Sequence, residues 1–334
     1  MIFVKTNKVF IFWLKWPIYL RIAFIVLIIV ILFGEFISLL EPQTFASPFD
    51  GIWWAFITIS TVGYGDFVPE TLIGKTTTIL LILLGASFIT SFFAHLSAAA
   101  IYKQRSYIEG SVSFQGNKHI VIIGWNEKSK NLLTTLQKIK PEYSIVLIDE
   151  TLEETPFLDE HIHFVKGSPS WDSTLHKGNI KEAEAIFITP DQHKSELEAD
   201  MQSILTLIAV KGLNPSIYAV CEILTEPQTM NAYRAGADEL IRSFELTSQV
   251  MVNSYVSKGG LSEVFSEFNP ANGHFFALKE ASDECINQNF YDLHQKLLKE
   301  GILLLGIKRQ GKTYIHPPLT FIFSKGDLLL VLTS

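Results

Sequence analysis

Cysteine, basic clusters and the common catalytic signatures are all scarce in this sequence, and each shortage closes off a class of function. Cys221 and Cys285 are the only cysteines and lie far apart. Two such thiols make no disulfide framework and suit a reducing cytoplasm. No stripe of Lys and Arg marks a nucleic-acid surface, so no nucleic-acid partner is expected. The chain has no helix-borne His/Glu zinc motif, no nucleophile elbow and no phosphate loop ending in Gly-Lys-Ser/Thr. Charge is missing from the first third. Residues 1–105 hold seven Lys/Arg and five Asp/Glu, against 20 and 29 in residues 106–334. The net charge of −7 therefore comes from the second part, which has an ordinary soluble balance.

Apolar residues replace the missing charge. From Ile18 to Leu40 the run is broken only by Arg21, Gly34, Glu35 and Ser38. At about 1.5 Å per residue it crosses a hydrocarbon core of about 30 Å. It is too long for the apolar core of a signal peptide, and no small-residue cleavage site follows near Leu40. A second apolar stretch covers residues 74–101. Lys5, Lys8, Lys15 and Arg21 precede the first stretch, and Lys103 and Arg105 follow the second. The segment between is acidic, with Glu41, Asp50, Asp66 and Glu70. The positive-inside rule then predicts a multi-pass protein of the cell membrane with both termini in the cytoplasm.

Between the two stretches lies SPFDGIWWAFITIS, followed by TVGYGD. Ser47 and Pro48 predict a helix start, with Ser as N-cap and Pro in the first helical position. A helix from there to about Thr58 is too short to span, so it is expected to enter the bilayer and turn back. Non-helical backbone at membrane depth is tolerated only inside protein or along a water-filled path. Gly63 and Gly65 supply unusual backbone angles that let neighbouring carbonyls point one way. Thr61, Val62, Gly63 and Tyr64 are then expected to offer carbonyl oxygens to a potassium ion in place of its hydration shell. One loop cannot surround an ion, so four copies around an axis are implied.

Residues 18–101 thus resemble the two-transmembrane pore of prokaryotic potassium channels: outer helix, pore helix, TVGYGD, inner helix. The resemblance implies a selectivity filter at Thr61, Val62, Gly63, Tyr64 and Gly65 and a gating hinge at Gly85. Close packing of Gly85 against the pore helix is the alternative. Some members carry a pore-helix Glu that pairs with the Asp after the filter, but Ile57 holds that place here. Asp66 is therefore expected to take a hydrogen bond from the indole of Trp53, with Trp53 and Trp54 also packing around Tyr64. Thr90, Ser91, His95 and Ser97 make the later half of the inner helix more polar, as a water-filled vestibule requires. His95 is expected to be solvated near the helix end.

The second part alternates strands and helices, beginning KHIVIIGWNEKSKNLLTTLQKI and SIVLID, which predicts a doubly wound parallel sheet. The strand–turn–helix–strand ending at Asp149 has the layout of a dinucleotide-binding unit. In GxGxxG register, however, the glycine places hold Gly124, Asn126 and Ser129. The IIGWNE turn and the RAGADELI segment resemble the RCK domain, the regulator of potassium conductance, also known from TrkA-type proteins. The expected fold is an α-helical membrane pore module, then an α/β Rossmann-like RCK domain, then a small α+β C-terminal lobe. The expected limits are 1–105 for the pore, 106–116 for a linker, 117–245 for the RCK N-terminal domain, and 246–334 for a connecting helix and C-terminal lobe.

The RCK resemblance implies a gating ring and a regulatory ligand. Calcium is one option, with Glu222 matching one carboxylate position and Asp191 aligning loosely, while a further position holds Leu224. A nucleotide such as NAD, ADP or ATP is the second, with Asp149 accepting from ribose hydroxyls and phosphate at the helix after Gly124. A scaffold without a ligand is also open. Cyclic di-AMP is the third ligand, at the segment Arg309 to Pro317, a pattern that equally suits an apolar dimer interface. His161 and His163 share a strand face and suit a metal, though no third ligand is visible. Family rings contain eight RCK domains. No Met lies between Met1 and Met201, so extra copies require a start such as a valine codon at Val112, or a separate gene. The expected function is a tetrameric, ligand-gated potassium channel. The alternatives are a regulatory subunit of a potassium transporter and a membrane-anchored dinucleotide-dependent enzyme. The enzyme would need intact glycines and visible catalytic groups.

Overall fold

A computed structural model describes residues 12–13, 15–157, 159 and 161–333. Lys5 and Lys8, used above to orient the chain, lie outside the described residues. The chain divides into two units, 1–106 and 107–334.

The first unit is helical. Helix α1 (Ile18–Leu40) and helix α3 (Leu72–Ile108) are long and apolar enough to cross a membrane, with mean hydropathy 2.9 and 2.1 over their best windows. Between them, α2 (Pro48–Ile59) starts as the sequence predicts. Ser47 accepts from the Asp50 amide, Asp50 accepts from the Ser47 amide, and Pro48 occupies the first turn. This reciprocal cap satisfies amides that a helix start leaves orphaned. Helices α1 and α2 approach closely through glycine. A Cβ on Gly51 would lie 2.1 Å from the Gly34 carbonyl oxygen, and one on Gly34 would lie 2.5 Å from the Ile52 backbone. Small residues allow such contact between apolar helices. Val30, Ile37, Phe45, Trp54, Ala55, Ile59 and Leu81 form the core beside it. Helix α3 is longer than the apolar run, and its last residues, Tyr107 and Ile108, belong to the second unit.

That unit holds a parallel sheet in the order β3-β2-β1-β4-β5-β6, made of β1 (Ile120–Ile123), β2 (Ile145–Asp149), β3 (Ile162–Lys166), β4 (Ala185–Ile188), β5 (Tyr218–Ile223) and β6 (Glu239–Arg242). The order reverses between β1 and β4, which opens a crevice at the C-terminal ends of those strands. Strands β1 and β2 are buried throughout, which is why they read as unbroken apolar runs. The crossovers carry α4 (Glu127–Ile139), α5 (Asp172–Lys177), α6 (Glu196–Leu213) and α7 (Thr229–Arg234). The expected connecting helix is α8 (Ser243–Val256), and a second short helix, α9 (Leu261–Glu267), follows it after Gly259 and Gly260, where φ is positive. The C-terminal lobe is an antiparallel sheet in the order β7-β10-β8-β9, with β7 (Phe275–Glu280), β8 (Leu303–Arg309), β9 (Lys312–Ile315), β10 (Leu328–Thr333) and helix α10 (Phe290–Lys299).

Candidate functional site

The loop after α2 has an alternating backbone. Thr61, Gly63 and Gly65 have φ of 62°, 53° and 74°, while Val62 and Tyr64 stay at negative φ. Reversing the hand at every second residue turns successive carbonyls to one side. The amides turn the other way: those of Val62 and Gly63 both donate to the Ile57 carbonyl, at 3.1 and 3.2 Å. Among the described residues, no hydrogen bond is made to the carbonyls of Thr61, Val62, Gly63 or Tyr64. Thr61 is the residue without glycine's freedom, and its left-handed φ stores strain of order 1 kcal/mol.

Side chains brace this loop. The Trp53 indole Nε1 donates to Asp66 Oδ2 at 2.8 Å, the hydrogen bond anticipated once Ile57 replaces a carboxylate. Trp53 also stacks on Tyr64, with ring centroids 6.1 Å apart and planes 9° from parallel. Trp54 is buried and meets Phe45 edge-on. Gly85 sits where a Cβ would come within 2.4 Å of Ile59 Cγ1, at the end of α2. Close packing therefore already requires a glycine there, and α3 runs through the position without a break. His95 bonds back to the Ser91 carbonyl.

Sequence reasoning missed Glu41. Its carboxylate is buried and accepts from the Glu70 amide, the Thr71 amide and the Thr71 hydroxyl, which ties the end of α1 to the start of α3. Burial works against its charge, but these hydrogen bonds outweigh burial and hold the carboxyl below its ordinary pKa.

In the second unit, Gly124, Asn126, Asp149 and Asp191 line one cleft at the β1–β4 switch point. Its free volume is only about 40 Å³. The two groups expected to meet a nucleotide there are already used. Asn126 caps α4 by accepting from the amides of Lys128 and Ser129, and its Nδ2 donates to Thr189. Asp149 accepts from the amides of Trp125, Thr151 and Leu152 and from the Thr151 hydroxyl. The amides expected to meet phosphate and the carboxylate expected to meet ribose thus serve the turn itself.

Glu222 lines a different, larger groove of about 820 Å³ and forms an ion pair with Lys128. Asp191 caps the His193 amide and pairs with Lys194. The two calcium candidates are therefore not brought together. Among the described residues no group of three or more His, Cys, Asp or Glu is placed to hold a metal. His163 is buried, with Nε2 2.8 Å from the Val112 carbonyl, so that nitrogen is engaged with the backbone. Arg309, at the start of the segment considered for cyclic di-AMP, has partners in its own lobe. Its guanidinium forms a two-pronged pair with Asp327 at 2.7 Å and donates to the Ile322 carbonyl, so it holds its own lobe together. The Cys221 thiol is pushed up to about 12 by burial, beside Asp200 and Glu222, so it is inert as a nucleophile.

Residues 25–101 match the ion channel family model, and residues 120–243 match that of the TrkA-N domain. YugO of Bacillus subtilis (strain 168), provisionally named a potassium channel protein, is 44% identical over 329 residues, covering 98% of this chain and 100% of that protein. The chain belongs to the potassium channels that carry an RCK, or TrkA-N, domain. The channel is also 22% identical over 320 residues to the calcium-gated potassium channel TvoK of Thermoplasma volcanium, covering 93% of this chain and 91% of that one. Its fold resembles the solved GsuK channel bound to NAD, with TM-score 0.51, 15% identity and 95% of this chain covered. The channel spans 57% of that solved chain, a little over half its length.

Proposed function

We propose that four copies of the channel surround one potassium-selective pore, and that a cytoplasmic ring of RCK domains opens it when a ligand binds. Potassium passes along the carbonyls of Thr61, Val62, Gly63 and Tyr64. The observation that carries this reading is the alternation of hand at Thr61, Gly63 and Gly65, with amides turned to Ile57 and carbonyls left free. Such a row of carbonyls replaces a cation's water shell. Val62 and Tyr64 are 55% and 70% exposed on one chain, which suits packing against neighbouring copies. For the ring, α6 presents Leu197, Met201, Leu205 and Ile208 at helical spacing, all about half exposed. An apolar stripe of this kind supports contact with another RCK domain. Gly85 acts as a packing point in this state and as the hinge when α3 bends.

The test is single-channel recording in a planar bilayer with asymmetric potassium. The reversal potential should follow the potassium gradient and ignore sodium. Calcium, NAD, ADP, ATP and cyclic di-AMP are then titrated on the RCK side, where one of them should raise open probability. A reversal potential that does not move with potassium overturns the pore reading. A pore that ignores every ligand overturns the ligand-gated one.

A further inference from the structure

The segment between the pore and the RCK sheet is not a free tether. Its backbone is clipped at four places. The Ile108 carbonyl accepts from the Thr155 amide and the Gly110 carbonyl from the Lys166 amide, while the Phe114 amide donates to the Lys177 carbonyl. The Gly116 carbonyl takes a hydrogen bond from Asn179 Nδ2 at 2.7 Å. Gly110 has a φ of 68°, and a Cβ there would lie 2.6 Å from the Lys166 nitrogen, so the linker is pressed onto β3.

Two buried histidines lie under this segment. His163, on β3, is 7% exposed, and its Nε2 is 2.8 Å from the Val112 carbonyl of the linker. His119, just before β1, is fully buried, and its Nε2 is 3.0 Å from the Gly178 carbonyl. Both contacts are to carbonyls, so both nitrogens must donate. The remaining nitrogen of His119, Nδ1, is buried without a partner among the described residues. The Phe114 ring lies against both imidazoles, at 4.6 Å from His119 and 5.4 Å from His163. Tyr107 closes the cluster, 5.3 Å from His163, with its hydroxyl on the Ile162 carbonyl.

We propose that His119 and His163 are positioning residues that hold the 107–116 linker on the RCK sheet while neutral, and that protonating them releases it. A proton on His119 Nδ1 would create a charged donor with no acceptor in an apolar pocket, and a second charge on His163 would repel it. Burial keeps both rings below their ordinary pKa; it outweighs the hydrogen bonds to the Gly178 and Val112 carbonyls, which favour the charged forms, and at His119 the charge of His163 lowers it further. The charged groups on the packed elements do not offset this. Lys166 pairs with Glu153, and Glu184 accepts from Tyr143. Lys118 and Glu182 are exposed, Lys177 is half-buried and cationic, and Glu109 and His161 have partners of their own. Because the docked rings bind protons less readily than free ones, docking is complete above pH 6.5, the ordinary histidine value, and weakens as pH falls below it.

The effect on opening rests on the proposed opening of the pore by the RCK ring, to which this linker leads, so the test reads the clasp and the current separately. Full-length channel in lipid nanodiscs is followed by amide hydrogen exchange at about pH 7.5 and about pH 5.5, corrected for intrinsic rates. Exchange of residues 107–116 should accelerate at the lower pH by up to about tenfold per histidine. The His119→Gln/His163→Gln double variant keeps side-chain donors and should show less than about a twofold change. In bilayers, cytoplasmic acidification should change open probability in the native channel and leave the double variant flat. Equal linker exchange at both pH values, or an unaltered pH response in the variant, overturns the proposal. If the amides of β1 and β4 also lose protection in the double variant, single His163→Gln is judged by the same criteria. Failure to conduct potassium would sink the pore reading while the exchange result still decides the clasp.

Discussion

Trp53 and Asp66 join the pore helix to the far end of the TVGYG loop through one hydrogen bond of 2.8 Å, from indole to carboxylate. Because Ile57 leaves no carboxylate inside the loop, this bond and the Trp53–Tyr64 stack are the side-chain braces on that end. Trp53→Phe keeps a ring over Tyr64 and removes the donor. A hydrogen bond to a partly exposed charged group contributes about 1 kcal/mol, or roughly fivefold in an equilibrium. Single-channel bursts of the Trp53→Phe variant should shorten by about that factor, with potassium selectivity kept. Unchanged burst length would show that the bond is not a brace.

Gly85 carries two readings that one pair of variants separates. A Cβ there would lie 2.4 Å from Ile59 Cγ1. Gly85→Ala should therefore destabilise the packed state by about 1–3 kcal/mol through overpacking. If packing is the reason for glycine, Gly85→Ala with Ile59→Ala should recover much of the lost stability, measured as the melting temperature of the detergent-solubilised channel. If flexibility is the reason, the double variant should assemble normally and still open poorly.

The parts legible in the sequence were those with local causes. Two apolar runs predict α1 and α3 because length alone decides a span, and Ser47-Pro48 predicts α2 because a cap is written in adjacent residues. The Trp53–Asp66 bond was accessible because a short helix fixes which side chains reach the loop end. What stayed hidden depends on tertiary contact. Nothing around Glu41 signals that its carboxylate reaches residues 29 and 30 positions later. Asp149 ends a strand as a ribose-binding residue would, yet its oxygens close the turn of its own chain. Lys128 was invisible as the partner of Glu222, 94 positions away, because only the fold brings the start of α4 and the end of β5 to one groove.

That Lys128–Glu222 pair sets the terms for any cation on β5. Glu222 is 8% exposed at its side chain, and Lys128 is 44% exposed. Removing the lysine leaves a buried carboxylate unpaired, at a cost of about 1–3 kcal/mol after allowing for solvent on the lysine side. Lys128→Met should lower the melting temperature of the second unit's transition. If Glu222 can bind calcium at all, millimolar calcium should then restore part of the loss in Lys128→Met and none in Lys128→Met/Glu222→Gln. Equal calcium response in both variants would remove Glu222 from the list of regulatory ligands.

Glu41 gives the pore module an acid limit of its own. Its hydrogen bonds to Glu70 and Thr71 favour the ionised form, and they hold its pKa below the ordinary 4.5 despite burial. A carboxyl with a depressed folded pKa stabilises the fold fully above its unfolded value and loses that contribution as pH falls through the folded value. The stability of the native channel should thus be flat above about pH 5 and fall below pH 4.5, the ordinary value. Glu41→Gln leaves one of the two acceptor oxygens as a donor facing amides, which should cost about 1–3 kcal/mol at neutral pH. The same change should remove part of the acid loss, since the variant has no proton to gain there. Melting curves of both proteins across the acid range test this. Parallel curves would mean that other carboxylates set the limit, whereas convergence at low pH assigns it to the clasp between α1 and α3.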